Sequence, residues 1–386
     1  MVVSQFNPAL HSIPSEERLS KEPYFRLCNM VWATPQYKRE RVNQSGRVLS
    51  DPKGWNGTGS SDADFYAYFD ALITVNNWRA SHGYPLNTFQ ATLRNRAQKI
   101  DKNCIFATRI KRLESITKKL QKREEMKLSQ MQDIGGLRAI MQNCGQVYRL
   151  AGIYEDRRLT HELIKVNDYI QSPKPDGYRS IHFIYRYQGG GRTTQYDGLK
   201  LEIQMRSVLQ HAWATAVETV GIFTKQALKS SEGDANWLRF FSLASSVIAQ
   251  QEGTAEVPGV PDDRKQRDEE FKALARELNV REVLNTYQSM LRALERHTTK
   301  DAKFFLLTLE PEEKRIAAKG FLTRDSITAN EQYTQMEERL ADKPGAQAVL
   351  VKVDSVAALR RAYPNYFADT TKFIQAVNSY LPERPA

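Results

Sequence analysis

An acid and an amide share one face of a predicted β-strand, LKLEIQMR, at residues 199–206. Alternate strand residues point to opposite sides, so Glu202 and Gln204 lie among bases on one face while apolar residues cover the other. A second carboxylate, Asp133, precedes two glycines in MQDIGGLRAI. Taken singly, the first pattern also fits a solvated edge strand, and the second an ordinary turn. If the two carboxylates converge, they supply the oxygen ligands that Mg²⁺ prefers at a phosphoryl-transfer site.

A basic segment lies upstream of this carboxylate. Between residues 99 and 127, ten Lys or Arg residues stand against four Asp or Glu. If the chain is locally extended there, Arg109 and Lys111 lie on one side, and Ser115 is placed to cap the helix that follows. Such a helix N-terminus favours anions through its free N–H groups and its dipole, so the segment would suit a polyphosphate. The alternative for the remaining lysines is a solvated helix face.

A turn at residues 173–178, PKPDGY, ends on an aromatic side chain. Proline, aspartate and glycine suffice to make a turn, so its geometry requires neither Tyr178 nor the following Arg179. Tyr178 is either a half-buried strand aromatic or a ring that the turn holds at the rim of a pocket. The run after it, SIHFIYRY, has the alternation of a strand.

The composition is that of a globular protein, with 41% hydrophobic and 26% charged residues. No apolar stretch approaches the roughly 18 residues that a membrane helix needs. The first residues lack the basic start and apolar block of a secretory signal, so we expect a cytoplasmic protein with no membrane partner. Cys28, Cys104 and Cys144 lack metal-type spacing and are expected to be reduced and structural. A net charge of +11 predicts attraction to polyanions.

The hydrophobic pattern predicts an α+β fold. Residues 63–99 have helical spacing with a break near Gly83, so a pair of helices is expected. GLRAIMQ, SIHFIYRY and LKLEIQMR predict strands of one mixed sheet, with a helix near residues 154–166 between them and a covering helix after residue 207. The Pro-, Gly- and charge-rich segment near residues 252–270 is a lid, a linker or a loop between helices.

Four segments, in this order and at these separations, resemble the synthetase domain of the RelA/SpoT family: ATRIKRLESITKKL, MQDIGGLRAI, VNDYIQSPKPDGYRSIHFIYRY and LEIQMRSVLQHAWA. The resemblance covers approximately residues 100–225. It implies a nucleotidyltransferase-like core with a mixed sheet flanked by helices. It further implies Mg²⁺-dependent transfer of pyrophosphate from ATP to the 3′-hydroxyl of GDP or GTP, which makes (p)ppGpp and releases AMP.

Three regions follow from these patterns. Residues 1–98 are expected to form an N-terminal loop and a helical cap, and residues 99–300 a RelA/SpoT-like synthetase domain with its following helices. Residues 301–386 contain two strand candidates, AKFFLLTLEP and AQAVLVKVDS, each followed by a helix candidate. They predict a small C-terminal βαβα module, whose role is left open between a regulator, an oligomerisation surface and a neutralising domain.

The resemblance also implies a role for individual residues. Five are assigned to ATP binding: Arg109, Lys111, Ser115, Lys119 and Arg138. Four are assigned to the acceptor: Lys174, Tyr178, Arg179 and His182, with the tyrosine ring stacked on guanine. Asp133 and Glu202 are the expected Mg²⁺ ligands and, with Gln204, the catalytic group. Glu202 is expected to accept the proton of the attacking hydroxyl, and Gln204 to orient it.

The sequence also departs from the family pattern. No histidine is followed by aspartate, so the hydrolase of long family members is not expected. Asp176 stands where asparagine is common, and its charge would weaken contact with an acceptor phosphate. One alternative is therefore a toxin that transfers pyrophosphate to the 3′ end of tRNA, with an antitoxin-like partner or a homo-oligomer. Another is a catalytically silent module that binds nucleotide or RNA.

Overall fold

The structure is a computed structural model and describes most of the chain. The described residues are 32–51, 62–156, 159–224, 228, 233–290, 294–295, 302–310, 313, 315–340, 343, 346–353 and 370–381. The first part of the expected N-terminal loop, most of the glycine- and serine-rich loop after Asp51, and Cys28 lie outside these residues. Cys104 and Cys144 are free thiols, as expected.

One nine-stranded sheet runs through the described part of the chain. Its strands are β1 Ile105–Ile110, β2 Gly135–Met141, β3 Glu162–Asp168, β4 Ile181–Arg186, β5 Lys200–Ser207, β6 Leu294–Glu295, β7 Phe304–Glu310, β8 Arg315–Phe321 and β9 Gln347–Lys352. The order across the sheet is β3-β4-β5-β2-β1-β9-β7-β8-β6. Strands β2 and β5 are parallel, whereas β1 with β2 and β4 with β5 are antiparallel. The predicted mixed sheet and α+β class are confirmed.

Helices flank this sheet. Their bounds are α1 Arg39–Ser50, α2 Asp62–Ala80, α3 Gly83–Gln98, α4 Leu113–Lys122, α5 Cys144–Asp156, α6 Val208–Phe223, α7 Ala235–Glu252, α8 Arg264–Glu277, α9 Val280–Met290, α10 Ser326–Leu340 and α11 Thr371–Ala376. Helices α2 and α3 confirm the predicted pair with its break, and α6 confirms the helix after residue 207. The segment near residues 252–270 contains the loop between α7 and α8, which was one of the three alternatives. Among the described residues, no helix is long and apolar enough to cross a bilayer.

The prediction of a helix near residues 154–166 is wrong. Helix α5 ends at Asp156, and β3 begins at Glu162 as an edge strand paired with β4. Because an edge strand is open to solvent, β3 lacks the apolar alternation that marks a strand in sequence.

The C-terminal segment continues the same sheet. Strand β9 pairs antiparallel with β1 at Thr108↔Lys352 and Arg109↔Val351. Between the two predicted strands the structure adds β8, which pairs with β7 ahead of α10. The second helix candidate lies largely outside the described residues. The boundaries of the three predicted regions stay a prediction.

Two apolar clusters pack around strands β1 to β5, which we call the site half of the sheet. Strands β6 to β9 are called its C-terminal half. Leu201, Ile203 and Met205 are fully buried on one face of β5, in a cluster with residues of α1, α3 and α5. A second cluster joins α6, α7, α8 and α9 over the other face of the sheet. The predicted alternation of residues 199–206 is therefore correct, since one face packs into a core and the other points towards α6 and α7.

Candidate active site

A cavity of about 340 Å³ lies between the polar face of the sheet and helices α6 and α7. Its wall is rich in charged and aromatic side chains, and the residues that matter chemically are Arg109, Lys111, Lys119, Asp133, Arg138, Tyr169, Lys174, Tyr178, His182, Glu202, Gln204 and Arg206. Nearly all of the predicted site residues therefore meet in one place. Their meeting is a result of the fold, because they come from four strands, from helix α4 and from the loops between these elements.

Strand register explains how the polar face is assembled. Gln204 of β5 lies opposite Arg138 of β2 and opposite His182 of β4. Glu202 lies opposite Gly136, which in turn lies opposite Arg109 of β1. Side chains of directly opposed residues share a face of the sheet, so these rows bring acids, amide and bases side by side.

Asp133 lies at the end of the loop that leads into β2. Its carboxylate accepts hydrogen bonds from Lys111 Nζ at 2.6 Å and from Lys119 Nζ at 2.9 Å. Burial opposes ionisation of this carboxyl, but the two ammonium groups outweigh burial and hold the pKa of Asp133 well below its usual range. Asp133 is therefore an anion at neutral pH, held by two of the predicted ATP-binding lysines.

Glu202 is the second ionised carboxylate. Burial alone would raise its pKa. The hydrogen bond and charge of His182 have the larger, opposite effect, so the pKa of Glu202 lies below the ordinary glutamate value. The His182 Nδ1 to Glu202 Oε1 distance is 2.9 Å, and Gln204 Nε2 donates to Glu202 Oε2 at 2.7 Å. The charge of Asp133 also acts on Glu202. The two carboxylates expected to converge are therefore electrostatic neighbours in one cavity.

His182 connects this carboxylate to the predicted acceptor tyrosine. Its Nε2 lies 2.8 Å from the Tyr178 hydroxyl, while Nδ1 faces Glu202. Both ring nitrogens are thus engaged by protein groups. Tyr178, His182 and Glu202 form one hydrogen-bonded chain along the cavity wall.

The turn before Tyr178 is built as the sequence indicates. Gly177 has φ +89°, and a Cβ there would lie 2.8 Å from Ser245 and 2.9 Å from Trp213, so only glycine fits. Asp176 Oδ1 accepts the backbone N–H of Tyr178 at 2.9 Å, which is an Asx turn. The carboxylate that departs from the family pattern therefore shapes the turn.

Tyr178 forms part of an aromatic and cationic group. Its ring is half-buried and lines the cavity. The Lys174 ammonium lies 4.6 Å from the ring centre of Tyr169 and 5.1 Å from that of Tyr178. The two ring centres are 6.0 Å apart. Sequence reasoning missed Tyr169. The feature that could have indicated it is its position directly after the polar segment that forms β3.

The polar face also carries guanidinium groups. Arg109, Arg138 and Arg206 line the cavity. Burial lowers the pKa of Arg206 to about 9, and the nearby charges of Arg138 and Arg109 lower it too. Arg206 Nε is buried and has no hydrogen-bond partner among the described residues. Since a buried N–H without a hydrogen-bond partner costs stability, this group is poised to receive an anion or an aromatic ring.

Two predicted site residues lie elsewhere. Arg179 was assigned to the acceptor but does not line the cavity, since its guanidinium is buried and donates to Ser245 Oγ of α7 at 2.9 Å. Ser115 is also misplaced, since α4 begins at Leu113 and Ser115 is neither its cap nor part of the cavity wall. Arg179 follows Tyr178 directly, and neighbouring residues of an extended chain point to opposite sides.

Known proteins resemble this chain in the same region. Residues 108–226 match the family described as "Region found in RelA / SpoT proteins". The GTP pyrophosphokinase YwaC of Bacillus subtilis is 36% identical over 117 residues, which are 28% of this chain and 53% of that protein. The GTP pyrophosphokinase of Haemophilus influenzae is 31% identical over 103 residues, 27% of this chain and 12% of its own length. The chain thus spans about half of the first relative and a small part of the second.

Residues 108–226 of the chain thus form a RelA/SpoT region. Among solved structures, small alarmone synthetase 1 of Bacillus subtilis bound to its product pppGpp has a TM-score of 0.39 and 21% identity, with coverage of 47% of this chain and 91% of that one. A GTP pyrophosphokinase family protein of Streptococcus pneumoniae has a TM-score of 0.36 and 23% identity, covering 44% of this chain and 85% of the other. The RelA/SpoT match includes β1, β2, β4, β5 and α6, which position most of the cavity wall.

Proposed function

We propose that the chain transfers the β,γ-pyrophosphate of ATP to the 3′-hydroxyl of GDP or GTP, which makes (p)ppGpp and releases AMP. The observation that carries this proposal is the pair of ionised carboxylates, Asp133 and Glu202, in one cavity with lysine and arginine side chains. Two highly charged nucleotides must meet there, so cations have to offset their repulsion while the hydroxyl is aligned with phosphorus.

The donor site lies at the basic end of the cavity. Lys111 and Lys119 contact Asp133, and their ammonium groups would also donate hydrogen bonds to a bound triphosphate. Arg109 and Arg138, which lie on the same face of β1 and β2, are placed to stack on the adenine or to pair with phosphate. The predicted ATP-binding set, without Ser115, thus corresponds to one contiguous wall.

Asp133 and Glu202 are the residues that would hold a magnesium ion. Both are oxygen donors and both are ionised, as Mg²⁺ requires. Among the described residues there is no cluster of three or more His, Cys, Asp or Glu side chains that could hold a metal. This is consistent with an ion that takes its other ligands from nucleotide phosphates and water. When bound, Mg²⁺ neutralises charge that develops on the phosphates.

The acceptor site lies at the aromatic end. The Tyr178 ring, with Tyr169 beside it and Lys174 over both, provides a surface for a purine base and a cation for its phosphates. The hydrogen bond that the Tyr178 backbone N–H donates to the Asp176 carboxylate fixes the ring at the cavity wall. A purine held there would direct its ribose towards Glu202.

The reaction is a single displacement at phosphorus. The acceptor 3′-oxygen forms a bond to the β-phosphorus of ATP, the bond from that phosphorus to the α,β-bridging oxygen breaks, and AMP leaves. Glu202 accepts the hydroxyl proton, since its depressed pKa keeps it deprotonated before attack. Gln204 and His182 hold the carboxylate in place through 2.7 and 2.9 Å contacts.

A second acceptor is favoured by one observation, the net charge of +11. A basic surface attracts a long polyanion more than a single nucleotide requires, so the 3′ end of tRNA is the competing acceptor. In that case the same chemistry would block aminoacylation, as in a toxin.

The test is label transfer from γ-³²P ATP with Mg²⁺ to GDP, GTP, ATP and bulk tRNA in separate reactions. Labelled GDP or GTP supports alarmone synthesis, and labelled tRNA supports the toxin alternative. Calorimetry with a nonhydrolysable ATP analogue is run in parallel. Analogue binding without label transfer to any acceptor would overturn the proposal in favour of a silent nucleotide-binding module.

A further inference from the structure

Helix α10 of the C-terminal segment contacts the turn that contains Lys111, one of the two lysines proposed to bind ATP. Glu337 Oε1 accepts the backbone N–H of Leu113, the first residue of α4, at 2.9 Å. The residue before that helix, Arg112, makes no side-chain cap. A helix N-terminus needs acceptors for its free N–H groups and favours negative charge. Glu337 therefore caps α4 from a segment more than two hundred residues away in the chain.

The same carboxylate also fixes the turn through a buried arginine. Arg79 of α2 donates from Nη2 to Glu337 Oε2 at 2.7 Å and from Nε to the Lys111 carbonyl oxygen at 3.0 Å. The side chains of Arg79 and Glu337 are 3% and 11% exposed, so this ion pair is largely shielded from water. Tyr333 joins the pair, since its hydroxyl donates to Glu337 at 2.8 Å and accepts from Arg79 at 3.1 Å.

The geometry points to Glu337 as a positioning residue for the ATP site, acting with Arg79 through the turn at residues 111–113. This inference rests on the proposed function, since it assigns the turn to ATP binding. Lys111 lies at one end of the turn, and the helix that Glu337 caps carries Lys119. Movement of the turn would displace both ammonium groups relative to Asp133.

The opposite role makes a different prediction. A carboxylate at a helix N-terminus also resembles a bound phosphate, so Glu337 would be inhibitory if ATP had to displace it. The structure favours support over inhibition because Glu337 is outside the cavity wall and its carboxylate is already paired with Arg79.

The test compares Glu337→Gln with Glu338→Gln, the same change at the next position of α10, where the side chain is exposed. We expect Glu337→Gln to raise the KM for ATP about tenfold, which corresponds to about 1.4 kcal/mol, within the range for loss of a charge-assisted hydrogen bond. The KM for the acceptor should stay within about twofold, because the hydrogen bonds of Glu337 go to Arg79, Leu113 and Tyr333 and not to the proposed acceptor residues. Glu338→Gln should change neither constant. An unchanged or lowered KM for ATP in Glu337→Gln would overturn the inference.

Two further readouts keep the test independent of folding and of catalysis. Tyr333→Phe removes only one hydroxyl from the group and should raise the KM for ATP in the same direction by less. Calorimetry with a nonhydrolysable ATP analogue should show the same ranking of affinities even if the unmodified chain labels no acceptor, so failure of the proposed function is separable. Analogue binding that is equal in all variants, or absent from the unmodified chain, would overturn the positioning role.

Discussion

The two halves of the sheet use their faces differently. In the site half, β5 buries its apolar face and turns Glu202, Gln204 and Arg206 towards the cavity. In the C-terminal half, all seven residues of β7 are buried. Ionised groups in the site half cost stability, whereas β7 contributes it through burial on both faces. The comparison indicates that the site half carries the reactive side chains, whereas the C-terminal half stabilises the fold.

The two halves meet along a short seam. Within the part of the chain that the structure describes, two residue pairs join β1 to β9, Thr108↔Lys352 and Arg109↔Val351. Contacts from α10 to α2 and α4 add side-chain connections next to this seam. The C-terminal half can therefore affect the donor site without contributing a strand to the acceptor site.

The largest effect is expected from Glu202→Gln. This change removes the charge of the proposed base at nearly constant shape, so transfer should fall at least 100-fold, within the range for general acid–base groups. Circular dichroism and thermal melting should show a folded chain. Glu155→Gln, at an exposed position of α5, is the matched control and should transfer normally. Near-normal transfer by Glu202→Gln would contradict its role as base.

The support half should respond in stability. Leu307 of β7 is 0% exposed, so Leu307→Ala should lower the free energy of unfolding by about 2–5 kcal/mol. At temperatures where the variant is folded, its KM for ATP should stay within about twofold, since distant sites are nearly independent. The control is Leu163→Ala on edge strand β3, where the side chain is 36% exposed and the loss should be smaller. Equal losses at both positions would remove the contrast between the halves.

Arg206→Met should show the reverse pattern, with weaker nucleotide binding and no loss of stability. Because the buried guanidinium lacks a partner for Nε, its replacement should leave the unfolding free energy unchanged or raise it by about 1 kcal/mol. Binding of a nonhydrolysable ATP analogue or of GDP should weaken about tenfold, as loss of a charged contact predicts. Arg186→Met, in an exposed pair with Glu162, should change neither quantity much. Strong destabilisation by Arg206→Met would show that the arginine supports the fold.

The smallest effect in this series is expected from Tyr178→Ala. Loss of a stacking surface costs about 1 kcal/mol or somewhat more. The acceptor KM should therefore rise several-fold while the KM for ATP changes less. Tyr178→Phe keeps the ring but removes the hydroxyl that meets His182, so it should recover acceptor affinity. An acceptor KM that does not respond to Tyr178→Ala would mean that the ring only packs.

Local patterns in the sequence predicted much of this site. The alternation in residues 199–206 correctly predicted the polar row of Glu202 and Gln204, because side-chain direction in a strand follows directly from sequence parity. The turn residues before Tyr178 left open a strand aromatic or a ring at the rim of a pocket, and in the structure the ring lines the cavity. By the same parity, Arg179 should have been assigned to the other side of the chain.

Other features depended on tertiary context. Edge strand β3 is a strand because of its pairing with β4, and its own residue pattern does not indicate one. Pairing of β9 with β1 and capping of α4 by Glu337 join residues far apart in the chain, and no local spacing indicates either. The His182 contacts were also hidden, since they depend on strand register.

The most direct test of the central claim follows the two ends of ATP in one reaction with Mg²⁺ and GDP or GTP. We predict that label from α-³²P ATP appears in AMP, while label from γ-³²P ATP appears in the acceptor, because the β,γ-pyrophosphate moves as a unit. Both signals should be lost in Glu202→Gln. Formation of ADP in place of AMP, or AMP without a labelled acceptor, would contradict pyrophosphate transfer at this cavity.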